Sequence, residues 1–181
     1  MRKFVMALMA LVMLMGSGTA VVMAQDATPE AGTATSGEMT AFAVGLDAPA
    51  TYFSDRGDPV TSVTVLDVER GWQDYGEYYD PDPGIEYVAV TFEVENLSRG
   101  NIIVEPYDFS MLDGFGRNNS RSYVSVDEDS GVEIFEDDTA IASGESVELT
   151  IIFELYEETE VGLFMWQPDS GVIVIVDLRD V

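Results

Sequence analysis

The residues best suited to chemistry lie in one short stretch, Gly71 to Tyr87 (GWQDYGEYYDPDPGIEY). There Trp72, Tyr75, Tyr78, Tyr79 and Tyr87 are interleaved with Asp74, Glu77, Asp80, Asp82 and Glu86. An aromatic face beside a carboxylate can hold a sugar ring, which stacks while the carboxylate accepts hydroxyl hydrogen bonds, or a cationic group by cation–π attraction. Trp72, Tyr75, Tyr78 and Tyr79 are therefore the ligand-binding candidates. The competing reading is a loop whose rings fold back over the edge of the core, and it is favoured because surface loops often seal small cores in this way.

Carboxylates suggest a second chemistry. Asp80-Pro81-Asp82, Asp127-Glu128-Asp129-Ser130-Gly131 and Glu136-Asp137-Asp138 cluster the oxygen ligands that a hard cation such as calcium requires, making Asp80, Asp82, Asp127 and Asp129 the metal candidates. The helix-loop-helix calcium motif is absent, because Gly131 sits one position early and no helical period flanks it. In a chain with 34 acidic residues such clusters also arise from composition alone.

Cysteine and histidine are both absent. Their absence excludes a disulfide framework, a zinc site of the usual kind and a Ser-His or Cys-His nucleophile pair. Two carboxylates can hydrolyse a glycosidic bond, but nothing singles out a pair here. The expectation is a non-catalytic protein with no cofactor, calcium aside.

The formal net charge is −26, with eight basic residues. A surface so acidic repels nucleic acid and anionic membranes and favours cations and basic partners. The reading favoured over a dedicated cation receptor is a surface suited to a saline or acidic exterior, in which ions screen the repulsion.

The N-terminus reads as an export signal over residues 1–24. Arg2 and Lys3 form the positive start, Phe4 to Met15 an apolar run, Gly16 to Thr19 a break, and Val22-Met23-Ala24 a cleavage site before Gln25. An uncleaved anchor is the alternative, disfavoured by the break in the middle of the apolar run. Removing this segment takes two of the eight basic residues and none of the acidic ones, leaving a net charge of −28 and arginine as the only cation. Residues 25–39 (QDATPEAGTATSGEM) have no apolar periodicity and read as a flexible linker. The folded domain is expected over 40–181, extracytoplasmic and without stable membrane insertion after cleavage.

What must position any site is a set of strands. In IEYVAVTFEVEN, Val88, Val90, Phe92 and Val94 share one face and glutamates mark the other, the pattern of a strand with one wet face. In SVELTIIFELY, Val147, Leu149, Ile151, Phe153 and Leu155 form a second apolar stripe. Val172 to Leu178 is apolar on both faces at its centre and is expected in the interior of its sheet. Weaker strands are legible at Val60 to Val68, where apolar residues on both parities suggest a bulge, and at Asn101 to Val104, Tyr107 to Leu112 and Val161 to Trp166. Turn residues such as Asp82-Pro83-Gly84 and Ser143-Gly144-Glu145 separate them. No window shows a helical period. The fold class expected is all-β, an immunoglobulin-like antiparallel sandwich of about seven to nine strands.

The succession G-x-x-Y-V-x-V-x-F-x-V-x-N at Gly84 to Asn96, D-F-x-M-L-D-x-x-G-R at Asp108 to Arg117, and I-A-S-G-E-S-V-x-L-x-I-x-F-E-L at Ile141 to Leu155 resembles a family of secreted, often tethered, bacterial domains of unknown function. Its fold is similar to the immunoglobulin-like sandwich of the mycobacterial immunoprotective extracellular antigen. The resemblance spans Phe42 to Leu178 and implies a fold and an extracytoplasmic compartment, with no catalytic residues. Family members are typically tethered by a lipobox cysteine or an anchor helix, and this chain has no such cysteine. The function expected is an interaction domain for a protein, peptide or envelope component, with a glycan or divalent-cation binder using residues 71–87 as the alternative.

Cleavage carries a direct prediction. N-terminal sequencing of protein recovered outside the membrane should begin near Gln25, whereas an intact Met1 in a membrane fraction would show a retained anchor.

Overall fold

The computed structural model describes residues 43–127, 130–168 and 173–180. Ten strands are present among them: β1 Ala50–Phe53, β2 Pro59–Arg70, β3 Ile85–Asn96, β4 Ile102–Val104, β5 Phe109–Asp113, β6 Asn118–Ser120, β7 Thr139–Ile141, β8 Ser146–Tyr156, β9 Val161–Trp166 and β10 Val174–Asp177. They form one four-stranded sheet in the order β1-β2-β3-β8, a second in the order β10-β9-β5-β6, and a small pair β4-β7. Every strand pairing is antiparallel. This is the expected immunoglobulin-like sandwich, with the short strands β1, β6 and β7 added to those legible in the sequence.

The core lies between the two large sheets. Val88, Val90, Phe92 and Val94 of β3 and Ile151, Phe153 and Leu155 of β8 point inward, as their parity requires. Facing them are Phe109 and Met111 of β5, Phe164 and Trp166 of β9, and Val174 and Val176 of β10. Phe92 is fully buried at the centre, with its ring 4.7 Å from Phe109 and 5.1 Å from Phe164 between centroids. Phe153 meets Phe164 edge on at 6.1 Å, and Phe109 stacks on Trp166 at 6.1 Å.

Two bulges keep the long strands in phase with this core. In β2 the register steps from Val65–Phe92 to Asp67–Thr91, so the inward set passes from Val63 and Val65 to Val68, on the opposite parity. That is the switch expected from the mixed parity of Val60 to Val68. In β9 the register steps from Leu112–Leu163 to Asp113–Val161, so the inward set passes from Val161 to Phe164 across Gly162. A Cβ on Gly162 would lie 2.5 Å from the Leu112 carbonyl oxygen and 2.9 Å from that of Asp113, so only glycine fits this bulge.

Two expectations need correction. β10 is the terminal strand of its sheet and not an interior one. Val44 bridges to Val176 in parallel at its free edge, and Ile173 and Ile175 line a groove of about 510 Å³ with Tyr52 and Phe53 of the neighbouring sheet's edge. Its second apolar face therefore reflects the junction between two sheet edges, with Ile173 still 47 % exposed. Val172 lies outside the described residues. The outer face of β3 is also not uniformly wet, because Tyr87 and Ala89 are buried there beneath other chain segments.

Polar groups hold the ends. Asn96 is fully buried, and its amide donates to the Gly100 carbonyl at 2.7 Å and the Ile141 carbonyl at 2.9 Å while its oxygen accepts from the Ser98 N–H and hydroxyl. It thereby ties the end of β3 to β7 with its side-chain hydrogen-bonding capacity satisfied. Asp113, also buried, accepts from the N–H groups of Phe115 and Arg117 and from the Arg117 guanidinium at 2.7 Å. Burial alone would raise the Asp113 pKa, but the hydrogen bonds from Arg117 and Phe115 outweigh it and hold the carboxyl below its ordinary value. At Asp177 the hydrogen bond from Arg179 acts in the same direction against partial burial. The Asp-x-x-Gly-Arg run of the family pattern is therefore a turn device, with Gly116 at φ 77° between the carboxylate and its arginine.

Two stability predictions follow from this packing. Phe92→Ala should lower unfolding free energy by about 3–5 kcal/mol in urea titration, and a loss under about 1 kcal/mol would contradict its central position. Asp113 is depressed in the fold, so its contribution is full above its unfolded pKa of about 4 and is lost as pH falls through the lower folded value. Asp113→Asn should therefore cost about 1.5–3 kcal/mol at neutral pH. That difference should shrink as pH falls below about 4, and a pH-independent difference would show that the charge is not the cause.

Candidate functional site

The segment from Gly71 to Gly84 joins β2 to β3, and the chain after β6 runs beside it over the outer face of the first sheet. The Trp72 N–H bonds the Tyr87 carbonyl at 3.1 Å, so the loop leaves β2 still tied to the strand it will become. From the other segment, Ser122 bonds the Ile152 carbonyl of β8, Gly76 bonds the Ser125 carbonyl, and Asp127 bonds the Asp74 carbonyl, all at 2.8 Å. Two loops are thereby stitched to each other and to the free edge of β8.

Between them and the sheet is a second apolar cluster of Trp72, Tyr87, Ala89, Val124 and Ile152, against which Tyr75, Val126, Val132 and Ile134 pack. Trp72 is only 2 % exposed, and its ring lies 6.1 Å from Tyr75 and 6.4 Å from Tyr87. Burial and the nearby Glu154 carboxylate raise the Tyr87 pKa. The rings at Trp72, Tyr75 and Tyr87 therefore cover the outer face of the sheet, while Tyr78, 87 % exposed, and Tyr79 remain at the loop tip. A hydrogen bond with Glu77 raises the Tyr78 pKa. The four ligand-binding candidates are thus divided, two as a lid on the sheet and two facing solvent.

Of the metal candidates, Asp80 and Asp82 are exposed on the 71–84 loop, Asp127 is exposed on the segment stitched to it and Asp129 lies outside the described residues; no group of three His, Cys, Asp or Glu able to hold a metal occurs among the described residues.

The structure assembles instead a constellation that no local motif announces. Arg121, just beyond β6, places its guanidinium carbon 4.5 Å from the Tyr107 ring centroid and 4.3 Å from that of Tyr123. The two tyrosine hydroxyls share a 2.5 Å hydrogen bond, with their rings 6.4 Å apart and inclined at 55°. Tyr107 and Tyr123 are nevertheless 67 % and 63 % exposed. The hydrogen bonds from Tyr123 and then Arg121 lower the Tyr107 pKa. Burial disfavours the Arg121 cation, but its hydrogen bonds with both tyrosines outweigh that and raise its pKa. Arg70, Arg117 and Arg179 pair with Glu86, Asp113 and Asp177, whereas Arg121 is paired with rings. The signal in the sequence is slight, because Arg121-Ser122-Tyr123 is local but Tyr107 arrives from the connection between β4 and β5.

Solved structures share the fold. MPT63, a secreted protein from Mycobacterium tuberculosis, superposes with a TM-score of 0.53 at 17 % identity, covering 74 % of this chain and 94 % of that one. The yjhA protein from Bacillus subtilis gives 0.52 at 14 % identity, covering 75 % and 98 %. A "putative lipoprotein (ycdA)" from Bacillus subtilis gives 0.51 at 18 % identity over 72 % of this chain, which spans only 39 % of that longer one. No curated protein matches the chain. Residues 57–165, more than half of the sequence, match the family model described as "Domain of unknown function (DUF4352)", and the chain belongs to that family.

Proposed function

We propose that the protein is a non-catalytic, extracytoplasmic interaction domain that engages a protein, peptide or envelope component through its loops. The observation that carries this reading is the presentation of large rings on loops at the surface of a packed sandwich, namely Tyr78, Tyr107, Phe115 and Tyr123. Exposed aromatics on loops positioned by a rigid scaffold are the usual anchors of protein contacts. The extracytoplasmic setting is supported by the export-type segment at residues 1–24 and by likeness to a secreted protein and a "putative lipoprotein". No helix of the described residues is long and apolar enough to cross a membrane. The absence of cysteine and histidine from the sequence removes the commonest nucleophile and base pairs and supports a non-catalytic role.

A second reading is a glycan or divalent-cation binder at the 71–87 loop. It rests on the tip alone, where exposed Tyr78 and Tyr79 adjoin Glu77, Asp80 and Asp82.

A photo-crosslinking amino acid placed in turn at Tyr78, Tyr107, Phe115 and Tyr123 in the producing cell should yield a discrete adduct from at least one position. Adducts from none would remove the interaction reading. Calcium titration by calorimetry together with a glycan array tests the second reading, and silence in both would remove it.

A further inference from the structure

Resting on the interaction reading, we propose that Tyr107 and Tyr123 form the contact anchor for a cationic protein segment, one that carries arginine or lysine onto their outward faces. The argument begins with order. An exposed tyrosine ordinarily loses rotamer freedom when a partner captures it, which weakens binding. Here that freedom is already gone, because each ring is held against one side of the Arg121 guanidinium and the hydroxyls are bonded to each other. Arg121 is fixed in turn, since its own backbone bridges to Phe153 of β8 and the next residue bonds the Ile152 carbonyl. The two rings are therefore presented as a rigid pair with roughly two thirds of their surface in solvent. Preorganised tyrosine of this kind is a recurrent binding hot spot.

Charge selects the partner. Arg121 supplies the local cation, yet the ground around it is acidic: Asp138 acts electrostatically on Tyr107, and Glu154 borders the polar hollow that includes Arg121 and Tyr123. The chain as a whole carries −26. An anionic ligand would meet this field unfavourably, whereas a guanidinium or ammonium is drawn toward it and finds an electron-rich ring face on arrival. Long-range attraction brings the segment in, and the ring pair decides where it settles.

The test must separate this anchor from the attraction of any acidic surface for any basic peptide. A labelled peptide of alternating arginine and glycine, and its citrulline counterpart of the same shape without charge, are titrated by fluorescence anisotropy against the exported chain at about 0.15 M salt. The double variant Tyr107→Ser/Tyr123→Ser leaves the protein charge unchanged and, being exposed, should leave the fold intact. It should weaken arginine-peptide binding by about tenfold, while Tyr78→Ser, at the most exposed tyrosine, should change it less than about twofold. Tyr107→Phe/Tyr123→Phe keeps the ring faces and should retain most of the affinity. Arg121→Gln releases the rings and should cost an intermediate factor. Equal binding of the citrulline peptide, no measurable binding of the arginine peptide, or an unchanged affinity in the double serine variant would each overturn the anchor. Crosslinks from the remaining surface rings would then leave the interaction reading standing without it.

Discussion

Phe92 is the residue around which the rest of the molecule is arranged. Its ring occupies the centre of the space between the sheets, in contact range of Phe109 and Phe164, and those two carry the chain of rings onward to Trp166, Phe135 and Phe153. Filling that space at the density of a protein interior requires each long strand to keep its apolar set on one side over its whole length. The bulges at Leu66 and Gly162 satisfy that requirement where sheet twist would otherwise turn the wrong residues inward. Gly162 is indispensable in this sense, since the carbonyls of Leu112 and Asp113 close over the position that a side chain would need.

The acidic composition imposes a second constraint, which Arg117 and Arg70 meet locally. Asp113 can be buried as an anion because Arg117 and two backbone N–H groups surround it, and Arg117 itself lies 4.7 Å from the Tyr156 ring centroid. Glu86 is met by Arg70 as β3 begins. Arg121 departs from this pattern. With tyrosine rings as partners it orders a surface feature.

Most of the fold was legible in the sequence because a half-buried strand writes its burial directly into alternate positions. Val88 to Val94 and Ile151 to Leu155 point where their parity says, and β9 runs over Val161–Trp166 as its apolar run indicates. β10 was misleading because residue type reports burial and not the identity of the covering element. An edge strand flanked by another sheet's edge is apolar on both sides just as an interior strand is. The same ambiguity hid the covered outer face of β3, where Tyr87 and Ala89 alternate correctly but with a loop, and not solvent, above them. The polar strand β6, with the sequence Asn118-Asn119-Ser120, has no apolar signal and exists because β5 presents an edge to pair with.

The sequence by itself determined the all-β class, the inward faces of the long strands and the acidic field, because each depends on residue type and local spacing. Only the tertiary structure decided what the aromatic residues do. Trp72, Tyr75, Tyr78 and Tyr79 are near neighbours in the chain, yet the hydrogen bonds that stitch residues 71–76 to 122–127 turn the first two onto the sheet and leave the other two outside. Tyr107 and Tyr123 are separated by two strands and meet over Arg121 only because the chain leaves β6 to pair with the free edge of β8. Whether a ring covers a core or faces a partner is set by the surface that happens to lie beneath it, and that surface is made by residues distant in sequence.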